Sequence, residues 1–416
     1  MKRLRSWFLA GWAVIGIGSP FLAPQDMSHG LEGMGTSRTT WTVCAQGCDF
    51  ASIQQAIEAA SNGDRIWIQP GIYTEHVVLH KSLTLEGSGT DKTILKGAQP
   101  AKPILFIPET VQVHLANLAI IESLNYSDLY TPCNTVGKCL AGIEVGGPAQ
   151  LSLSHVQLYN HVVGIWIHGP AQVQLFASQI GPSSIAGIQL SHPEAELLVM
   201  NTKISVGFRP RWEYYERAGV WSFSYRQIIV MNSTFSQSDR AIYIQNQGEI
   251  SLIGVQFLMD FRRPAVTIDN QYSDNQVRAV ILNSEFTGRG LETVGNSQIT
   301  VINSHFKAGE VNVSLGDQVH AIIQESELVG DSNSIDDNSG VVIWSNSAQV
   351  HLENNIIADH NGWGVALIQC YSSYIRVTPQ ITGRNNEIPD KNQPRANKQG
   401  ALCPADYPWP PGFRKP

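Results

Sequence analysis

Between about residue 100 and residue 388 a short apolar strand returns roughly every 22–25 residues, opened by a small residue and then Ile or Val. The starts are Gly142-Ile143, Gly164-Ile165, Gly187-Ile188, Gly219-Val220, Ala241-Ile242, Ala265-Val266, Gly340-Val341 and Gly364-Val365. Val311–Leu315 fits the same scheme, and Leu291–Val294 fits it loosely. A second motif follows many of them: Met200-Asn201, Met231-Asn232, Leu282-Asn283, Ile302-Asn303 and Asn354-Asn355. Each copy predicts two or three short strands between turn residues, with no helical period in between. One such unit cannot bury its own apolar face, so it must stack on its neighbours. The expected architecture is all-β, a single-stranded parallel β-helix of about 11–12 coils.

Alternation then fixes which side chains face outward. The first apolar residue of each strand and the one two later point inward; the residue between points out. The outward column reads Glu144, Trp166, Gln189, Trp221, Tyr243, Thr267, and the next reads Gly146, His168, Ser191, Phe223, Gln245, Asp269. With coils about 4.8 Å apart, Trp166, Trp221 and Tyr243 share one face spread over about 15 Å. Rings flanked by polar groups suit the apolar faces and hydroxyl edges of sugars. Trp166, His168, Trp212, Trp221, Tyr243 and Gln245 are the candidate substrate-binding residues. The competing structural role is support for an inserted loop, whose Trp212, Tyr214 and Tyr215 need a surface to pack on.

Three interruptions break the period: 124–140, 208–218 and the acidic, polar 331–339. Insertions in a solenoid go to loops, and loops often carry function. At the front, Phe50, Ile53, Ala56, Ile57 and Ala60 form a helical stripe ended by Asn62-Gly63-Asp64, a helix placed to cap the open first coil. The boundaries are 1–40 for a leader, 41–388 for the β-helix and 389–416 for a Pro-rich capping tail. Lys2, Arg3 and Arg5 precede an uncharged apolar stretch from Trp7 to Ala23, a secretory signal pattern. Phe21 is bulky for a cleavage site after Ala23, so an uncleaved membrane anchor is the alternative. In either case the repeats are expected outside the cytoplasm: extracellular, periplasmic or at the cell surface.

The six cysteines fit that compartment. Pairing near neighbours gives Cys44–Cys48, Cys133–Cys139 and Cys370–Cys403, one of fifteen possible connectivities. A metal site is the other use of cysteine, but no His pair accompanies them at ligand spacing. The 416 residues are dilute in charge (15%) with net charge −7, and no Lys/Arg cluster runs along them, which excludes nucleic acid as a partner.

The opening resembles a known family. Phe50-Ala-Ser-Ile53-Gln-Gln-Ala56-Ile57, Gly63-Asp64-Arg-Ile66, Pro70-Gly71-Ile-Tyr73-Thr-Glu75 and Lys81-Ser82-Leu83-Thr84-Leu85-Glu-Gly87 are similar to the start of right-handed parallel β-helix proteins of the pectin lyase-like superfamily. Pectin methylesterases and secreted bacterial β-helix repeat proteins share that opening. With the later repeats the resemblance spans residues 42–388 and implies a right-handed coil with an N-terminal capping helix. The esterase stretch Gly-Thr-Val-Asp-Phe-Ile-Phe-Gly and the later Arg-Pro-Trp are missing. Of the polygalacturonase motifs only an Asp-Asp pair, Asp336-Asp337, is present. The resemblance therefore implies the fold and no particular chemistry.

Catalysis is left to residues near the aromatic face. A lyase on uronate glycans needs a cation to neutralise the carboxylate and a base to remove the C5 proton. Arg209, Arg211, Arg217, Arg226 and Arg240 concentrate there; Arg226, Tyr225 and Asp269 are the catalytic candidates, and Glu213 and Glu216 offer the arginines a surface-pair role instead. Glycoside hydrolysis needs two carboxylates at a set separation, and no pair can be placed among Asp239, Glu249, Asp260 and Asp269. Calcium is the one cofactor the sequence allows, through Asp331, Asp336 and Asp337, without the spacing of a known calcium loop. The scattered histidines form no ligand set, and the Asn column reads as a structural ladder of left-handed turns. Two functions stand. The first is a secreted, non-catalytic β-helix protein that binds extracellular or cell-surface polysaccharide; the second is a polysaccharide lyase on acidic glycans. The partner is a polysaccharide or cell-surface glycan in both, and a membrane only if the leader remains as an anchor.

Overall fold

The computed structural model describes residues 38–98, 102–122, 141–207, 217–259, 263–271, 273–307, 311–330, 338–372, 374–404, 408–410 and 413. Among them the strands pair in parallel, each with its equivalent one coil away. They form a 24-stranded and a 13-stranded sheet wound into one column. The chain is a right-handed parallel β-helix of the pectin lyase-like kind, the hand that parallel crossovers adopt. The smaller sheet takes one strand per coil from Val77–Val78 to Gly400–Cys403, so thirteen strands stack where about eleven or twelve coils were expected. One of the thirteen comes from the Pro-rich tail, whose Gly400–Cys403 pairs with Trp363–Leu367.

The strand starts are small for a steric reason. A Cβ at Gly164 would sit 2.5 Å from the Gly187 carbonyl oxygen, and one at Gly187 would sit 2.6 Å from that of Gly219. Inward residues such as Ile143, Ile165, Ile188, Val220 and Ile242 are fully buried, as the alternation requires. The core also holds an aromatic stack whose members each stand three residues after a left-handed corner, at Asn232, Gly254, Asn283 and Asn303. Phe235, Phe257, Phe286 and Phe306 stack ring on ring, with centroids 5.5, 4.5 and 4.2 Å apart.

The Asn column makes the corner within the larger sheet. Asn201, Asn232, Asn283, Asn303 and Asn354 all adopt positive φ, between 47° and 55°. Asn tolerates that region better than other side chains. Its amide also reaches the next coil: Asn303 Nδ2 donates to Asn283 Oδ1 at 2.7 Å. Immediately behind runs a buried ladder of side-chain oxygens. Ser304 Oγ accepts from Ser284 N at 3.2 Å, Ser326 Oγ from Ser304 N at 3.2 Å, and Asn355 Oδ1 from Ser326 N at 3.0 Å. These acceptors satisfy backbone amides that the corner takes out of the sheet ladder.

The expected capping helix is present as α1 (Ile53–Ala59), with Ile53, Ala56 and Ile57 on the core. Seven residues are marginal as a helix, so its ends need partners. Glu75 accepts from Ser52 Oγ at 2.8 Å, Ile53 N at 2.9 Å and Gln54 N at 3.0 Å. Lys81 Nζ donates to the carbonyls of Ile57 (3.0 Å), Glu58 (2.7 Å) and Ala60 (2.8 Å). Asp64 accepts from Thr39 N, Ser61 N and Trp41 Nε1. Burial pushes its carboxyl upward, but these bonds outweigh it and hold the group below its ordinary value. The charged positions of the opening motif thus hold the cap in place. Glu75→Ala should lower stability by about 1–3 kcal/mol, with Glu75→Gln less affected because one acceptor oxygen remains. Urea unfolding measures the loss, and hydrogen exchange should show the first coils opening ahead of the rest.

Disulfides join Cys44 to Cys48 and Cys370 to Cys403, with Cα separations of 5.5 and 6.2 Å. Cys133 and Cys139 lie outside the described residues. No described helix is long and apolar enough to cross a membrane.

Candidate functional site

The outward column of the smaller sheet has the register that alternation predicts. Trp166 pairs with Glu144 on one side and Gln189 on the other; Trp221 pairs with Gln189 and Tyr243, and Tyr243 with Thr267. The rings form two groups, separated by the coil that carries Gln189. Trp166 lies 4.3 Å from the His168 ring, and Trp221 lies 5.2 Å from Phe223 and 5.9 Å from Tyr243.

Their exposure differs from the expectation of an open row. Trp166 is 6% exposed and Tyr243 9%, whereas Trp221 is half-buried and Phe223 is 37% exposed. Outside the core, Trp166 and Trp221 pack in a small apolar cluster with Ala141, Val163, Ile185 and Ala186. The small residues before each strand start, which give no outward bulk, let this second layer form. Trp166 and Tyr243 therefore back the surface, and Trp221 and Phe223 present it.

The second outward column departs at one place. Ser191 pairs with Ser224 and not with Phe223, because a bulge follows the Leu190–Ser222 pair. The strand Ala218–Ser224 is one residue longer than Ala186–Ser191, and the extra residue pushes the Phe223 ring into solvent. Nothing in the local composition marks that bulge.

Polar groups hold the rings in place. Trp166 Nε1 donates to Ser191 Oγ at 3.2 Å, and His168 Nε2 lies 3.0 Å from Glu144 Oε1. Tyr243 Oη donates to Asp269 Oδ2 at 3.2 Å and accepts from Gln245 Nε2 at 3.0 Å. Gln271, overlooked in the outward columns, donates to Asp269 Oδ1 at 3.0 Å; it stands two residues beyond Asp269, which is the signal that could have found it. Arg240, only 6% exposed, lies over the Tyr243 ring at 4.8 Å and donates to Thr267 Oγ1 at 2.9 Å. The result is a fixed Tyr–Asp–Gln cluster beside an aromatic ledge.

The catalytic candidates do not come together. Tyr225 is 1% exposed and sits in the core, against the space a Cβ at Gly248 would need. Burial raises its phenol, so it stays protonated and out of reach of a substrate. Tyr225 follows the bulged strand and turns inward, away from the aromatic face. Arg226 is exposed at the head of the Gln227–Met231 strand of the larger sheet, where it pairs with Glu196 at 3.0 Å. Asp269 alone belongs to the aromatic face. Arg217 is held bidentately by Asp239 at 2.9 and 3.1 Å, a structural pair. Trp212, Arg209, Arg211, Tyr214, Tyr215, Glu213 and Glu216 lie outside the described residues, as do Asp260, Asp331, Asp336 and Asp337. Among the described residues no three His, Cys, Asp or Glu side chains gather to hold a metal ion.

No family model and no curated protein matches the chain. Solved structures do. The A-module of the Azotobacter vinelandii mannuronan C-5 epimerase AlgE4 is similar at TM-score 0.55 and 13% identity, covering 73% of this chain and 89% of that one. The A-module of AlgE6 from the same organism is similar at 0.51 and 14%, covering 80% and 92%. Pectin methylesterase PemA from Erwinia chrysanthemi is similar at 0.36 and 11%, covering 60% and 90%. At these identities the likeness is one of fold.

Proposed function

We propose that the protein binds a polysaccharide outside the cytoplasm along the outer face of the thirteen-stranded sheet, without transforming it. The carrying observation is the ring group of Trp221, Phe223 and Tyr243, with centroids 5.2 and 5.9 Å from Trp221, and the Trp166–His168 pair, 4.3 Å apart and two coils away on the same face. Trp221 and Phe223 offer apolar faces, and His168, Gln245 and Asp269 offer hydroxyl partners on the same side. The epimerase modules, named for mannuronan, show that this architecture can meet a polymer; the disulfides suit an oxidising compartment. The lyase reading is weaker, since Tyr225 is buried and Arg226 stands on the other sheet.

Affinity electrophoresis against pectate, alginate and chondroitin tests this. Trp221→Ala should weaken retention about tenfold, the loss of one aromatic stacking contact, with circular dichroism confirming that the variant, less stable for the packing it loses, is still folded. Indifference of every polymer, or of the Trp221→Ala variant, would refute the proposal. Accumulation of unsaturated uronate product, lost in Asp269→Asn, would replace it by the lyase.

A further inference from the structure

The larger sheet carries a second patterned face that the aromatic site does not use. In the strands before the Asn corner, one outward column reads Phe176, Met200, Met231, Ile253, Leu282, Ile302, in register over six successive coils. The adjoining outward column adds Leu198, Ile229, Val280 and Ile322, with Ser251 and Thr300 interleaved among them. Outward positions of a solvated sheet are normally polar, and in the flanking coils they are: Ser152 and Ser154 before, Glu353 and Arg384 after. The apolar block is therefore bounded, an island with a polar rim.

We propose that this island is the interface of a two-fold dimer of the chain. Its midpoint lies between the Gln227–Met231 and Gly248–Ile253 strands, which pair with each other. A two-fold axis there, along the strand direction, sets Met231 against Ile253 of a second copy, Met200 against Leu282, and Phe176 against Ile302. The same axis acts on the polar row beside the island, whose order is Gln172, Glu196, Gln227, Glu249, Arg278, Gln298. It sets Gln227 against Glu249 of the second copy and Gln172 against Gln298, while Glu196, 5% exposed and paired with Arg226 at 3.0 Å in its own chain, stays beneath the contact. One axis thus aligns the apolar column with itself and opposes no two free like charges in the row beside it, as an isologous interface must.

The other occupants fit less well. The block is aliphatic apart from Phe176, whereas sugars are met by aromatic rings. An anionic lipid surface calls for a basic rim, and here Glu196, Glu249 and Glu353 balance Arg226, Arg278 and Arg384. That balance, on a chain of net charge −7, makes this a face on which two copies do not repel. Eight coils at about 4.8 Å and strands of about 17 Å give roughly 650 Å² with the rim, close to the ~800 Å² per partner of a stable pair. Met in the centre and charge only at the edge match the composition of such interfaces.

Analytical ultracentrifugation of the full chain tests the proposal, with circular dichroism to confirm folding. The wild type should sediment as a dimer at micromolar concentration and Leu282→Asp as a monomer. A bis-maleimide of about 10 Å reach should join two chains through Met231→Cys, near the axis, and not through Ile302→Cys, far from it. A wild type monomeric up to about 100 µM, or a dimer that survives Leu282→Asp, overturns the proposal. So does cross-linking through Ile302→Cys in place of Met231→Cys. Loss of polysaccharide retention in monomeric Leu282→Asp would instead assign this face to the glycan.

Discussion

Phe286→Ala should cost about 3–5 kcal/mol of unfolding free energy, the loss expected for a buried aromatic truncated to a methyl. Its ring is fully buried and sandwiched, 4.5 Å from Phe257 and 4.2 Å from Phe306, with interplanar angles of 24° and 8°. Removing it opens a cavity and ends both stacking contacts, each worth about 0.5–1.5 kcal/mol beyond burial. The flanking coils cannot close the gap, because backbone ladders hold them apart on both sheets. Phe286→Leu should cost less, since most of the volume stays. Urea denaturation gives the size. Hydrogen exchange gives the place: the amides of Ser284 and Ser304, bonded to the hydroxyls of the next coil, should lose protection first. A loss under about 1 kcal/mol would mean that the stack is not the core's main support there.

Mild acid should be the second large effect. His161 and His360 are both fully buried, and each ring nitrogen Nε2 donates to a backbone carbonyl, of Ile120 at 3.0 Å and Leu328 at 3.1 Å. That fixes the neutral tautomer and leaves Nδ1, the accepting nitrogen, without a donor. Burial lowers both from 6.5 to about 4. The sign follows from linkage: with a depressed folded value, the unfolded chain binds protons first as pH falls. The full stability is present above pH 6.5, declines between 6.5 and about 4, and is then lost by about 3 kcal/mol per histidine. Unfolding midpoints across that window measure the slope. His161→Gln with His360→Gln should flatten it while lowering stability at neutral pH. A slope unchanged in that double variant would assign the acid sensitivity to other groups.

Much of this was legible in the chain. The Gly-Ile and Gly-Val starts, spaced a coil apart, carry the stacking because bulk there would strike the next coil's backbone. The Asn column announced left-handed corners, since few other side chains sit comfortably at positive φ. The cap motif was readable as order, though not as physics: only coordinates show Glu75 and Lys81 gripping opposite ends of α1. Other features were hidden by variable coil length. Phe235, Phe257, Phe286 and Phe306 stack although their spacings along the chain differ, and the signal that could have found them is their common place three residues after a corner. Alternation placed Trp166 and Tyr243 outward correctly but said nothing of what covers an outward face. It placed Phe223 outward as well, but did not show the bulge that sets Ser224 rather than Phe223 opposite Ser191.

The left-handed corners have an evolutionary corollary. Asn283 and Asn303 share the same backbone geometry and are bonded to each other through their amides, so their coils are interchangeable joints. Excising residues 284–303 would splice one joint onto its twin and lay Phe257 directly on Phe306. Such a molecule can shorten or lengthen by whole units without inventing a new turn, which gives a lineage an easy way to match its span to whatever it grasps.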